Sequence, residues 1–191
     1  MTWADALLTP RGLGEARRAG AYLGSRMRHS GMPAFDSYYT SPLRRCIETA
    51  NGTFGGLDLP AGARPFAATI KELLREDMSI HTCDRRSRRS ELAAFAPAAF
   101  AFEPGFSEED ELWQGGPGRS RGETRAHQLA RSSALLADLF ARDDGSWLSL
   151  TSHSGEIAAL LEVLGHRPFA LAQHVSFILF PSFISPARLL D

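Results

Sequence analysis

Apolar positions along the chain recur at two spacings, one helical and one strand-like. Leu13, Ala16, Gly20, Leu23 and Met27 repeat at helical spacing, with Arg17, Arg18, Arg26 and Arg28 largely off that face. Thr9 supplies a capping hydroxyl and Pro10 a first-turn proline, while Gly31 and Pro33 end the segment, so a helix is predicted between them. Ser37-Tyr38-Tyr39-Thr40 is short and rich in strand formers, and Ser41-Pro42 is read as the cap of a second helix reaching about Thr53. A further short strand is read over residues 66–70. Residues 124–141 predict a long helix with Leu129, Leu136, Leu139 and Phe140 among its apolar positions, closed by a turn at Asp143-Asp144-Gly145. Residues 147–151 read as a buried strand. Residues 156–164 read as a helix with Ile157, Leu160, Leu161 and Leu164 on one face, stopped by Gly165, and residues 175–180 as a last strand. Residues 75–120 are different: rich in charge, glycine and proline, they read as an insertion over one end of the domain, with short helices around 91–96 and 108–113.

Helix and strand alternate, with no repeat or linker dividing the chain, so residues 1–191 are expected to form a single α/β domain. The expected architecture is a three-layer sandwich, a mostly parallel central sheet flanked by helices. In such sheets, sites gather where strands end and helices begin.

Composition narrows the function classes. The hydrophobic fraction is 43% and the charged fraction 23%, ordinary for a globular protein, and the net charge of -1 gives no general attraction to nucleic acid or anionic membrane. No stretch has the length of a membrane span, and the first residues lack a signal-peptide pattern. Cys46 and Cys83 are too few for a disulfide framework, which fits a reducing compartment, the cytoplasm. Lys71 is the only lysine among many arginines. Codon bias explains that, or a use of planar guanidinium groups for phosphate or carboxylate recognition.

Three places carry chemistry. Thr40-Ser41-Pro42-Leu43-Arg44-Arg45 runs from a strand into a helix, whose amino end and first-turn arginines suit an anion. Thr151-Ser152-His153-Ser154-Gly155-Glu156 has the same form, with a histidine at the corner and small neighbours that admit a ligand. Lys71-Glu72-Leu73-Leu74-Arg75-Glu76-Asp77 offers carboxylates for general-acid work. Each also has a plainer reading: a capped surface helix, a capping histidine, and a solvated charge run. His81 and Cys83 are too few for a metal site. His29, His127, His166 and His174 are read as surface or structural.

Taken together, these strings resemble the histidine phosphatase superfamily, phosphoglycerate-mutase-like. Residues 40–50 are similar to its SPLxRxxxTA motif, Leu8-Thr9-Pro10-Arg11-Gly12 to its LTxxG motif, Leu74-Arg75-Glu76 to its LxE segment, and residues 151–155 to the segment bearing its second histidine. The run through His81-Thr82-Cys83-Asp84-Arg85-Arg86-Ser87, residues 106–113 and Gly165-His166-Arg167-Pro168 resemble a fungal branch. The resemblance implies a phosphatase acting on a phosphomonoester through a phosphohistidine. It implies that Arg45 binds the transferred phosphoryl group, Glu76 donates a proton with Glu72 as fallback, and His153 stabilises the phosphoryl oxygens. Ser41 joins the substrate-binding set. Arg85 and Arg86 either recognise a second anionic part of the substrate or belong to a solvated loop. No metal or organic cofactor is implied; the partner is a small phosphorylated or anionic molecule, and the oligomeric state is not readable.

One family feature has no counterpart. No Arg-His-Gly triplet, the bearer of the nucleophilic histidine, occurs in the chain, and Arg28-His29-Ser30 lies within the first helix. The family's first strand is therefore expected to be missing, which leaves neighbouring strand edges unpaired unless the natural chain is longer, the sheet closes differently, or the last strand or the tail fills the gap. The chain is expected to be inactive as it stands. The alternative readings are a non-catalytic anion-binding pseudo-enzyme or an accessory protein of a fungal (secondary) metabolic pathway.

Overall fold

The structure, a computed structural model, describes residues 4–78, 81–115, 122–166 and 176–179. Helix α1 (Pro10–His29) starts as its sequence demands, with Thr9 Oγ1 accepting from the Gly12 amide at 3.1 Å. Strand β1 (Ser37–Thr40) leads to helix α2 (Arg44–Phe54), and β2 (Ala68–Ile70) follows. Two single 3-10 turns, Glu72–Leu74 and Thr82–Asp84, precede α3 (Arg89–Phe95), β3 (Phe100–Phe102) and the short α4 (Glu111–Gly115). Helix α5 (Arg125–Arg142) begins under the Thr124 hydroxyl, which accepts from the His127 amide; β4 (Leu148–Thr151), α6 (Ser154–Val163) and β5 (Ser176–Leu179) complete the order.

The sheet runs β3-β2-β1-β4-β5. The first four strands are parallel, with Tyr39 opposite both Thr69 and Leu150, and β5 lies antiparallel to β4. β4 is thus paired along both edges, by β1 and by the final strand, so no open ladder remains beside it. Alternation along β1 divides the core between two helical layers. Tyr38 packs with Phe35, Phe54, Met27 and Ala68 under α1 and α2, while Tyr39 faces the cluster of Leu135, Leu136, Leu139, Leu148, Leu150 and Leu160 under α5 and α6.

Two differences from the sequence reading matter for the site. Residues 75–120 do more than cover one end of the domain, because Phe100–Phe102 joins the sheet as its outer parallel strand. Ser41 does not cap α2: the capping position is Leu43, without a side-chain bond, and the Arg44 amide instead donates to Asp5 Oδ1 at 2.7 Å. The tail, residues 180–191, lies outside the described residues, as do Arg167, Pro168 and His174.

Candidate active site

The parallel strands deliver the site. Beyond the ladder, the Ser41 amide donates to the Thr151 carbonyl and the Lys71 amide to the Thr40 carbonyl, both at 2.9 Å. The segments after β1, β2 and β4 therefore meet at one end of the sheet. There a cavity of about 270 Å³ is lined by Ala6, Arg45, Glu76, Cys83, Asp84, His153 and Ser154. The structure thus brings together Arg45, Glu76 and His153, with Ser41 behind the histidine.

His153 is 2% exposed and stands at the amino end of α6. Arg45 Nε lies 3.3 Å from its Nδ1, and Ser41 Oγ lies 2.9 Å from its Nε2. The guanidinium N–H can only donate, so Nδ1 accepts, and the ring proton sits on Nε2, directed at Ser41. Cys46 Sγ packs 3.3 Å from the same Nε2; burial pushes this thiol up to about 12, so it is a neutral neighbour of the imidazole. Arg45 also donates from Nη1 to the Cys83 carbonyl at 2.8 Å and from Nη2 to Asp84 Oδ1 at 3.3 Å. Three of its five N–H groups are so engaged, which leaves donors for a ligand.

Glu76 meets the same amino end of α6. Its Oε1 accepts from the amides of Asp77 at 2.9 Å and Glu156 at 3.2 Å, and its Oε2 from Gly155 at 3.4 Å. Burial raises its pKa, partly offset by those amides, and the nearby Asp84 charge raises it further. A side chain at Gly155 would collide with the Glu76 carboxylate, so the small residue is what lets the acid reach the α6 amino end. Both helix ends expected to attract an anion are filled from within, α2 by Asp5 and α6 by Glu76. What remains for an anion is the guanidinium of Arg45 and the polar floor around His153.

The other predicted residues separate. Arg86 is 3% exposed and spends all its donors on protein: on Glu72 Oε2 at 2.7 Å and on acceptors of Ser87, Ser107, Glu108 and Glu109. It does not line the cavity, though with Arg85 it borders a neighbouring cleft. Glu72 is likewise committed, to Arg86 and Arg75, and does not line the cavity. Arg85 is exposed and borders a neighbouring cleft of about 200 Å³ beside Asp5 and Arg88. His81 and Cys83 gain no set of three candidate metal ligands among the described residues.

Sequence reasoning missed Asp84, Asp5 and the buried Arg75, which grips Asp110 with both terminal nitrogens. It also missed Arg131 of α5. Arg131 donates to the carbonyls of Leu73 at 2.6 Å, Arg75 at 3.0 Å and Glu76 at 3.4 Å, and so braces the segment that carries the acid. Each partner is distant in sequence, and only a charged residue on the inner face of a helix hints at it.

Known proteins match the chain in sequence family and in fold. The profile of the histidine phosphatase superfamily (branch 1) matches residues 1–178. A protein of Arthroderma benhamiae described as a probable phosphoglycerate mutase is 43% identical over 171 residues, covering 90% of this chain and 49% of that protein. Phosphomutase-like protein 3 of Candida albicans is 34% identical, covering 90% of this chain and 50% of that protein. The chain thus spans about half the length of these relatives. Among solved structures, a mycobacterial glucosyl-3-phosphoglycerate phosphatase superposes with a TM-score of 0.51 at 24% identity, covering 87% of this chain and 72% of that one, a likeness of fold.

Proposed function

The chain belongs to the histidine phosphatase superfamily, among its phosphoglycerate-mutase-like members, and we propose that its cavity binds the phosphoryl group of a small phosphomonoester. The observation that carries this reading is the pairing of Arg45 with His153 in one cavity that also holds Glu76. The guanidinium supplies bidentate charge to the phosphoryl oxygens. The imidazole, turned by Arg45 and Ser41, forms the polar floor beneath them. Glu76, whose pKa burial raises, stands in the same cavity at the place of the acid that protonates the leaving oxygen when family members turn over an ester.

Turnover in this family implies a phosphohistidine: the phosphoryl group passes from the ester oxygen to a histidine nitrogen, the leaving oxygen takes a proton, and water then releases phosphate. Among the described residues, His153 is the only histidine lining the cavity, and Arg45 already occupies its Nδ1 while Ser41 faces its Nε2. We therefore assign these 191 residues phosphate binding without phosphohistidine turnover. Two free thiols, Cys46 and Cys83, suit a reducing cytoplasm. The test is calorimetric titration of the chain with inorganic phosphate, paired with an assay on a generic phosphate ester. Saturable binding weakened at least ~10-fold by Arg45→Ala, with no hydrolysis, is expected from loss of a charge-assisted contact. Hydrolysis abolished by His153→Ala overturns the non-catalytic assignment, and phosphate binding indifferent to Arg45→Ala overturns the site.

A further inference from the structure

We propose that Arg131 on α5 and Glu156 on α6 are positioning residues for Glu76, joined with it in a closed ring of contacts that sets where its carboxyl group lies in the cavity. The proposal rests on the reading of the cavity that holds Glu76 as the phosphate site.

The ring can be followed atom by atom. Glu76 Oε1 accepts from the Glu156 amide at 3.2 Å. The Glu156 side chain points the other way, into the layer between α5 and α6, where its Oε2 lies 3.0 Å from Arg131 Nη1 as an electrostatic contact, both Nη1 protons being donated to the carbonyls of Leu73 and Arg75. Arg131 then returns to the starting segment through the carbonyls of Leu73, Arg75 and Glu76. Glu76 is thereby held twice, by its carboxylate at the amino end of α6 and by its backbone from α5. His153 caps the same helix, so the ring also fixes the acid relative to the histidine.

The ring is built for stiffness. Arg131 Nε and Nη2 reach the two carboxylate oxygens of Glu123 at 3.0 and 2.9 Å, which anchors the guanidinium plane. Glu156 Oε1 lies 2.7 Å from Ser132 Oγ, and that oxygen lies 2.9 Å from the Gln128 carbonyl. The hydroxyl has one proton, and both contacts are satisfied when a protonated Glu156 donates to Ser132 and Ser132 donates to Gln128. Arg131, Ser132 and Glu156 are all buried. Nothing in this layer touches the cavity, so its effect on the ligand passes through Glu76.

The readout is the pH dependence of the Gly155 and Glu156 backbone amides, followed by nuclear magnetic resonance on the full chain. Both amides face Glu76, so in wild type they share a titration step that Glu76→Gln removes. Other charged groups near that carboxylate are Arg45, Asp77 and Asp84; those near Glu156 are Arg131 and Glu123. Glu156→Gln, which keeps the ring's donors and acceptors, is expected to leave the shared step in place. Glu156→Ala, which opens the ring while Arg131 keeps Glu123, is expected to move the midpoint by at least about half a pH unit towards an ordinary carboxylate, as release from a desolvated site does. Arg131→Met is expected to do the same, and Glu156→Ala decides if that variant does not fold. An unchanged shared step in a folded Glu156→Ala, with only thermal stability reduced, overturns the proposal and leaves the layer as ordinary packing. Because no phosphate is needed, failure of phosphate binding and failure of the ring are separate results.

Discussion

Arg45 Nη2 lies 3.3 Å from Asp84 Oδ1 at the wall of the cavity, so the guanidinium proposed to bind a phosphoryl group already holds a carboxylate. Phosphate entering there meets a second anion within reach of the same cation. Asp84→Asn keeps the shape and removes the charge. Phosphate affinity is expected to rise about fivefold or more, the scale of a contact between charged groups worth roughly 1 kcal/mol or above. Isothermal titration of the two proteins checks this. Weaker binding in the variant would mean that Asp84 serves the ligand by aiming Arg45.

Arg85 and Arg86 are adjacent and chemically identical, yet their environments assign them different work. Arg86→Ala removes one of the two arginine partners of Glu72 and the donor to the Ser87 and Ser107 carbonyls, a buried loss on the order of 3 kcal/mol or more. Urea unfolding should show a large fall in midpoint. Arg85→Ala, at an exposed site, is expected to change stability by no more than about 0.5 kcal/mol. Its effect should appear in binding: affinity for a phosphorylated carboxylic acid falls, while that for inorganic phosphate stays. A loss of both would place Arg85 in the phosphoryl cavity itself.

Gly155 sits in the first turn of α6 with the Glu76 carboxylate where its side chain would be. The obstacle is the far end of a flexible side chain, and alanine favours a helix over glycine by about 0.5–1 kcal/mol. Gly155→Ala should therefore fold with little change in thermal midpoint while displacing Glu76 from the helix end. Loss of the shared titration of the Gly155 and Glu156 amides would show the displacement. A large drop in stability with that titration intact would count against it.

What could be read from the sequence follows from how local each determinant is. Helix α1 carries its own cap and stop in Thr9, Pro10 and Gly31, and β1 is declared by Ser37–Thr40, so both were placed closely. Strand β3 is only three residues long, and Phe100-Ala101-Phe102 acquires its identity from pairing with β2. Arg45, Glu76 and His153 were legible because each lies in a motif at a strand end, and the fold carries those ends together. Asp5 as the acceptor at α2, 39 positions away, leaves no local mark. Nor could adjacent arginines be told apart, since Glu72, which claims Arg86, stands 14 positions earlier.

Glu156 makes the stability of the protein depend on pH in a direction that can be stated in advance. Its side chain is fully buried and faces Arg131, but that one cation also serves Glu123. Burial pushes Glu123 up, yet its bonds from Arg131 outweigh this and hold it below its ordinary value. Glu156 receives the weaker share, and burial pushes it up to about 8 from an ordinary value of 4.5. Between those two values the folded protein keeps the proton and the unfolded chain has lost it. Unfolding then releases a proton, so stability falls as pH rises across that window, by at most ~1.4 kcal/mol per pH unit for this one group. Glu72, Glu76 and Asp77, also raised, act in the same direction, whereas Glu123 and Asp143, both lowered, lose their contributions only below the window. Glu156→Gln keeps the bonds to Arg131 and Ser132 without a proton to lose. Urea unfolding at about pH 5, 6.5 and 8 should therefore show a shallower decline in the variant than in wild type, with the two proteins most alike at the acid end. Parallel profiles would mean that Glu156 is ionised in the folded protein and forms a true ion pair with Arg131.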